Sequence, residues 1–294
     1  MRILRVMAWG IFLASGCTGK ECDEGTHDED GICIETPAPD SGHTADGTTD
    51  VDTGSNTGTD TPWDCSDMYT DSQLLTVNAA RTYSIDVTTA HVEEVADYSA
   101  HPDRPSDPNS AAFAPRGMAW VSDSGENRLL MLDVCEADIL PIGPTGFDHL
   151  CGISYGSDGM LYGMDSNSNS LVQLDQTTGA GTTVGALGRN IDNCGLTLDC
   201  LSGTLYGLDG RTGQLFTVDP VTGSAGTPIN LNLSNMPSVG LEFDPMDGSL
   251  LMTNGPTLYR VNPATGALTT IGPFDLGSGF NDLAFHLGPL PCDD

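Results

Sequence analysis

Short runs of alternating apolar and polar residues recur along the chain after residue 65. Alternation with a period of two predicts half-buried β-strands rather than helices. Five of these runs end in an acid or an amide, at intervals of 47, 42, 44 and 43 residues: Asp86, Asp133, Asp175, Asp219 and Asn262. A Thr-Gly pair follows three of them, ending at Gly179, Gly223 and Gly266. Because glycine supplies the positive φ of a tight turn, each unit is predicted to contain a β-hairpin.

Two further patterns complete the repeating unit. The motif Gly-x-Leu-Tyr-Gly spans residues 159–163 and 203–207, with looser copies at 117–121 and 248–252. Before it stands a short apolar strand, and these strands end at intervals of 42, 43, 45 and 42 residues: Phe113, Tyr155, Leu198, Phe243 and Phe285. About 43 residues with four short strands is the size of one β-propeller blade. The count predicts five blades.

The two ends of the repeat region are incomplete in complementary ways. The first unit begins at Leu74–Val77, which corresponds to a second strand, whereas a spare first strand, Asp282–His286, comes at the end. Docking the last strand into the first blade would close the ring and remove both sheet edges. The predicted fold class is therefore all-β: a five-bladed β-propeller closed by a C-terminal strand joining the first blade, preceded by a disordered acidic linker.

The chain has nine cysteines, which suits an oxidising compartment. Cys65 and Cys292 lie on either side of the predicted seam, and we expect them to form a disulfide. Cys151 and Cys194 occupy the same position in successive units and could pair if their Cα atoms lie within roughly 4.4 to 6.8 Å. No pairing is predicted for the two remaining cysteines of this region, Cys135 and Cys200.

The N-terminus has the pattern of a secretory signal. Arg2 and Arg5 precede an apolar run and a small pair of residues, which predicts a signal peptide over residues 1–16, too short to span a membrane. The string Leu13-Ala14-Ser15-Gly16-Cys17 resembles the bacterial lipobox. That resemblance implies lipid modification of Cys17 and, with Thr18 next, a lipid-anchored place in the outer membrane or on the cell surface of a Gram-negative bacterium. The alternative is an ordinary signal peptide with an incidental cysteine.

Residues 17–64 differ in composition from the rest. Between 18 and 64 there are 13 acids and one base, and Thr, Gly, Asp and Ser dominate from 36 to 61. Such a segment cannot bury enough apolar surface to order itself, so we expect a tether. Within it, Cys22 and Cys33 are expected to bond and form a small growth-factor-like stub. The predicted organisation is a signal peptide (1–16), a lipid-anchored stub and linker (17–64), and a propeller (65–294).

Charge narrows the range of partners. The chain has 41 acids and 10 bases, a formal net charge of -31, so it repels phosphate and nucleic acid is excluded as a partner. We expect a monomer attached to the membrane through its lipid.

The repeat motifs resemble those of a known kind of protein. Gly-x-Leu-Tyr-Gly together with Asp-Pro-x-Thr-Gly, seen at 219–223, is similar to the repeats of secreted bacterial β-propeller proteins of the YVTN or lactonase-like kind, over about 220 residues. The resemblance implies a fold rather than an activity. It also implies, for lactonase-like relatives, a metal in the central channel.

Polar residues stand just before the first strand of three units, where a propeller opens into its channel: Asp148 with His149, Asp192 with Asn193, and Asn281 with Asp282. Carboxylate and amide oxygens suit calcium, which could polarise a carbonyl group while a carboxylate acts as base. The alternative is that these side chains cap turns. We therefore expect a non-catalytic binding or scaffold module for a protein or glycan partner. The second hypothesis is a calcium-dependent, lactonase-like hydrolase acting at the channel mouth.

Overall fold

A computed structural model describes residues 26–29, 32–35, 72–114, 117–276, 280, 282–286, 288, 290 and 292. The chain divides into two compact units, 1–57 and 58–294. In the first, β1 (Thr26–Glu29) pairs antiparallel with β2 (Ile32–Glu35). Several predictions fall outside the described residues: lipidation at Cys17, the bonding of Cys22, and the positions of Cys65 and Asn281.

The second unit is made of five four-stranded antiparallel sheets, which confirms the predicted propeller with five blades. No helix in the described part of the chain is long and apolar enough to cross a membrane. Blade 1 contains β3 (Gln73–Val77), β4 (Arg81–Ile85), β5 (Val92–Asp97) and the C-terminal strand β22 (Ala284–His286). Blade 2 contains β6 (Pro108–Phe113), β7 (Met118–Asp123), β8 (Arg128–Asp133) and β9 (Asp138–Pro144).

The remaining three blades each use consecutive strands. Blade 3 contains β10 (Leu150–Tyr155), β11 (Leu161–Asp165), β12 (Ser170–Leu174) and β13 (Gly181–Ala186). Blade 4 contains β14 (Cys194–Asp199), β15 (Thr204–Asp209), β16 (Gln214–Val218) and β17 (Ile229–Asn230). Blade 5 contains β18 (Leu241–Asp244), β19 (Ser249–Asn254), β20 (Thr257–Val261) and β21 (Leu268–Pro273).

The C-terminal strand closes the ring. In β22, Ala284 lies opposite Leu75 of β3, so the end of the chain completes the first blade. The same strand also lies beside the inner strands β6 and β18 of the two neighbouring blades. Ring closure by the C-terminus is thereby confirmed, with a strand two residues shorter than the predicted Asp282–His286.

The hydrophobic core is divided into five clusters, one between each pair of adjacent blades. Between blades 2 and 3, for example, Trp120 packs against Leu161 and Val172, and its indole N–H donates to the Tyr155 hydroxyl at 2.7 Å. Each sheet therefore buries both of its faces near the axis, which explains why inner strands such as β10 and β11 are buried along their whole length.

The innermost strands approach one another too closely for large side chains. Three residues before the end of each predicted first strand stand Ser110, Gly152, Gly195, Gly240 and Asp282. A Cβ on Gly152 would lie 2.6 Å from the Leu196 nitrogen, and one on Gly240 would lie 2.7 Å from the carbonyl carbon of Asp282. Glycine is required here for close approach of two backbones.

A second contact between blades lies farther from the axis. The pairing of third and fourth strands shifts register in blades 1, 2, 3 and 5, which places a bulge in the fourth strand. The turn of the next blade packs on this bulge. A Cβ on Gly143 would overlap the carbonyl oxygen of Thr178, and a Cβ on Gly185 would overlap that of Thr222. The Thr-Gly turns therefore also dock neighbouring blades together.

One disulfide prediction is wrong. Cys292 bonds to Cys135, with Cα atoms 4.7 Å apart, and not to Cys65. The physical reason is that β22 lies beside blade 2, and the chain that leaves it reaches the turn after β8, which carries Cys135. Cys151 and Cys194, whose pairing the sequence left open, do bond across β10 and β14, with Cα atoms 5.0 Å apart. Cys200 is also disulfide-bonded.

Replacing Gly185 with Ala should destabilise the propeller by about 1 to 3 kcal/mol, because the new methyl group meets a backbone carbonyl that cannot rotate away. The matched control is Gly272→Ala in blade 5, where the nearest atom, the Thr89 oxygen, is 3.0 Å from the added Cβ. Urea unfolding should show a larger loss for Gly185→Ala than for Gly272→Ala. The reverse order would contradict the docking role of the turn.

Replacing both Cys135 and Cys292 with Ser should lower the free energy of unfolding by about 2 to 5 kcal/mol, because the disulfide closes a long loop and holds the chain just beyond β22. Denaturant unfolding of the oxidised protein measures this loss. Peptide mapping of the unmodified chain should recover Cys135 linked to Cys292. A peptide that links Cys292 to another cysteine would contradict the observed pairing.

Candidate functional site

Three of the polar residues predicted at the channel mouth form hydrogen bonds through their side chains. Asp148 is exposed and accepts a hydrogen bond from Asn127 Nδ2 at 3.2 Å. The ring Nδ1 of His149 lies 2.9 Å from the Ser166 hydroxyl. Asn193 is exposed and donates from Nδ2 to the Met236 carbonyl oxygen at 3.1 Å. These contacts give the three side chains protein partners, two of them side chains and one a backbone carbonyl.

The predicted metal ligands that the structure describes differ in exposure. Asp148 and Asp192 are exposed, whereas Asp282 is only 4% exposed, inside the ring of inner strands. Within the residues that the structure describes, no group of three or more His, Cys, Asp and Glu side chains could hold a metal ion. Calcium binding therefore stays a prediction made from the sequence.

Three buried carboxylates that the sequence analysis missed hold the backbone where the chain enters the inner strands. Asp123, Asp165 and Asp209 end the second strands of blades 2, 3 and 4 and are nearly inaccessible to solvent. Asp209 Oδ1, for example, accepts the backbone N–H of Asp192 at 3.0 Å. The signal for two of them was the Asp that comes two residues after each Tyr-Gly pair.

Two carboxyl groups lie inside the channel. Glu242 Oε2 accepts the Thr197 hydroxyl at 2.9 Å, and its Oε1 accepts the Phe285 N–H at 3.1 Å. Asp282 Oδ1 accepts the Ser110 hydroxyl at 3.2 Å, while its buried Oδ2 has no hydrogen-bond partner among the described residues. These bonds connect blades 4, 5, 1 and 2 across the seam where the ring closes.

Burial governs the ionisation of both channel acids. It raises the pKa of Glu242 to about 8, although hydrogen bonds from Phe285 and Thr197 oppose the shift. It raises the pKa of Asp282 to about 7 against similar hydrogen bonds. Glu242 also borders a narrow pocket of about 40 Å³ that is lined by the ends of the inner strands, so part of its side chain is enclosed without being fully packed. Charge inside the channel is therefore costly.

One end of the propeller displays apolar side chains. The connections between first and second strands and between third and fourth strands lie at the same end, because strand direction alternates; we call this end the turn face. Of the six large apolar side chains that are exposed in the described residues, four lie on its turns: Met160, Leu201, Val221 and Met246. The other two are Leu140, within β9, and Leu276, which follows β21 at the opposite end.

The four side chains share one local structure. Each lies two residues after an Asp whose Oδ1 accepts its backbone N–H, at 2.8 to 3.1 Å: Asp158 with Met160, Asp199 with Leu201, Asp219 with Val221, and Asp244 with Met246. The carboxylate thus fixes a turn and presents an apolar residue at its tip. The corresponding sequence pattern is Asp-x-apolar. It is hard to recognise, because it occurs both in turns between first and second strands and in turns between third and fourth strands.

A groove runs along the turn face between blades 5 and 1, with a cavity volume of about 640 Å³; we call it the seam groove. Its charged lining comprises Asp86, His91 and Glu93 from blade 1 and Asp244, Asp247 and Arg260 from blade 5. Arg260 Nη1 contacts Asp244 at 2.7 Å and Asp247 at 2.5 Å. Met246 and Phe285 contribute apolar surface to the same groove.

Sequence comparison matches part of the chain to a family of repeats of unknown function, DUF6923, over residues 152–282. That stretch covers less than half of the chain and corresponds to blades 3 to 5 with the segment leading to β22. A search of curated proteins gives no significant match.

Solved structures are similar in fold at low sequence identity. A chain of a nidogen/laminin complex aligns with a TM-score of 0.53 and 13% identity, over 74% of this chain and 99% of that chain. A protein of unknown function from Bacteroides thetaiotaomicron aligns with a TM-score of 0.50 and 12% identity, over 74% and 65%. Virginiamycin B lyase from Staphylococcus aureus aligns with a TM-score of 0.44 and 15% identity, over 65% and 62%. At these identities the first two alignments show the β-propeller fold alone.

The stability of the propeller should decrease as pH rises from 6 to 9. Since the pKa of Glu242 in the folded chain, about 8, exceeds its ordinary value of 4.5, its protonation favours folding, and that contribution is lost as pH rises through 8. Glu242→Gln should therefore reduce the decrease. The matched control, Asp175→Asn on an exposed turn, should leave it unchanged. Urea unfolding midpoints at pH 6, 7.5 and 9 measure the effect, and equal decreases for Glu242→Gln and the unmodified protein would contradict it.

Proposed function

We propose that this chain is a lipid-anchored cell-surface protein whose propeller binds a protein partner, without catalysis, on the turn face. The observation that carries the proposal is the set of four exposed apolar side chains on that face, Met160, Leu201, Val221 and Met246. Exposed apolar groups rimmed by polar residues are typical of interaction surfaces. The signal peptide, Cys17 and the acidic tether predicted from the sequence would attach the propeller to the membrane and hold it away from the surface.

The turns favour binding because they are ordered before a partner arrives. Each apolar tip is held by a carboxylate that accepts its own backbone N–H. Fixing the backbone in advance reduces the entropy lost on association. Three of the tips, Met160, Leu201 and Met246, occupy the same connection in successive blades, so the propeller spaces them around its axis.

Charge on the turn face indicates the character of the partner. Carboxylates lie next to the apolar tips on the same turns, including Asp158, Asp199 and Asp247. A partner with exposed apolar residues and net positive charge would complement this surface and would associate faster at low ionic strength. The aliphatic nature of the tips favours a protein over a glycan.

The proposal predicts that peptides selected from a display library on the full chain will bind through the apolar tips. Changing Met160, Leu201 and Met246 together to Asp should weaken such peptides at least about tenfold, because each buried apolar side chain contributes about 1.5 to 3 kcal/mol. The matched control changes Leu140 and Leu276 to Asp, which removes exposed apolar groups from other surfaces. Isothermal titration calorimetry measures both.

Three results would count against a binding module. Failure of the library to yield any peptide, or equal losses in the triple variant and its control, would remove the role of the turn face. Hydrolysis of a simple lactone such as γ-butyrolactone that requires added calcium and is lost in Asp192→Asn would instead favour the enzymatic alternative at the channel mouth.

A further inference from the structure

We infer that the seam groove binds a Lys or Arg side chain of the protein partner, flanked by apolar residues. This inference rests on the proposed function, because the groove belongs to the same turn face. Met246 connects the two: it is one of the exposed apolar tips and it also lines the groove.

The groove has an excess of negative charge. Four carboxylates line it, those of Asp86, Glu93, Asp244 and Asp247, against one guanidinium, that of Arg260, which gives a formal balance of -3 with His91 neutral. Arg260 is shared between Asp244 and Asp247 and also contacts the Ser249 hydroxyl at 2.7 Å. One cation, the Arg260 guanidinium, therefore offsets the carboxylates on the blade 5 side of the groove.

Among the described residues, the blade 1 side of the groove has no permanent cation. Asp86 uses Oδ1 to accept the N–H groups of Thr88 and Thr89 and the Thr88 hydroxyl. Glu93 is 74% exposed in its side chain, and its Oε1 lies 3.5 Å from Nε2 of His91, which carries a charge only when it is protonated. Since the pKa of His91 is raised mainly by a hydrogen bond with Asp275, that carboxylate is its principal partner. Within the described residues, no Lys or Arg pairs with Asp86 or Glu93.

Apolar side chains beside these carboxylates favour a Lys or Arg side chain over a metal ion. Ile85, Val87 and Phe285 line the groove together with the acids. A long side chain with a charged end can lay its methylene groups on such surface while its charge stays among carboxylates. A bare metal ion would need several oxygen ligands converging on one point, and the described residues provide no such group of acids. The groove, at about 640 Å³, is large enough for a basic residue and its neighbours.

The probe is the acetylated, amidated peptide Leu-Lys-Leu-Lys-Leu, with the same peptide carrying Glu in place of Lys for comparison. The groove variant combines Asp86→Asn with Glu93→Gln. We expect the basic peptide to bind the full chain and to lose about three- to tenfold in affinity on the groove variant, because two exposed ion pairs each contribute modestly to binding. The loss should shrink as salt is added, and the acidic peptide should bind more weakly than the basic one.

The matched control combines Asp133→Asn with Asp175→Asn, which changes net charge by the same amount at the equivalent turns of blades 2 and 3. Both Asp residues accept backbone N–H groups just as Asp86 does. Asn is accepted at this position, because Asn262 holds the corresponding turn of blade 5. Unfolding midpoints equal to that of the unmodified protein would show that neither pair of changes disturbs the fold.

The outcomes separate the groove from the turn face as a whole. A larger loss on the groove variant than on its control supports the inference. Equal losses on both pairs, equal binding of the acidic peptide, or binding abolished only by changing Met160, Leu201 and Met246 would overturn the inference and leave the proposed function standing. Absence of binding by this peptide and by every library peptide would overturn both.

Discussion

The close approach of five inner strands around one axis is the constraint on which this structure depends. Three of the five equivalent axial positions are glycine, and a single added carbon at Gly152 or Gly240 would collide with the neighbouring backbone. Because so little space is available, each inner strand forms hydrogen bonds with the second strand of its own blade. It packs closely beside the inner strands of the two neighbouring blades. The core is therefore divided among five interfaces between blades, and each depends on the ring being complete.

The seam is the place where this constraint is hardest to meet. Two of the five axial sites, Ser110 and Asp282, are not glycine, and they bond to each other where β22 joins the ring. Glu242 bonds to the backbone of β22 from the other side, through the Phe285 N–H. Polar groups in a low-dielectric channel provide strong and directional bonds, but only while the carboxyls remain neutral or fully paired. The closing strand is thus held by interactions that depend on ionisation, with the Cys135–Cys292 disulfide beyond it.

The sequence repeats made the fold predictable, and residues that depart from the repeats account for the features that were not predicted. The hairpins ending in Asp or Asn and the Tyr-Gly motifs fixed the blade count and the role of the last strand. The predicted Cys65–Cys292 bond equates closeness to the seam along the sequence with closeness in space, whereas Cys292 bonds to Cys135 of blade 2. The sequence does not single out Glu242, because Leu-Glu-Phe has the alternation of a strand with one solvent-exposed face, whereas the Glu242 side chain faces the closing strand of the next blade.

The turns in which an Asp carboxylate accepts a backbone N–H two residues later explain both the stability of the blades and the exposure of apolar residues. A carboxylate that accepts the second N–H of a turn directs the residue bearing that N–H outward, whatever its polarity. In blade 3, Asp175 presents Thr177 in this way, whereas Asp158 presents Met160. The turn geometry is satisfied equally by either residue, so folding does not require Met, Leu or Val at these tips. Folding therefore does not explain why apolar side chains are exposed at four such positions on one face. Binding of a partner would explain their exposure.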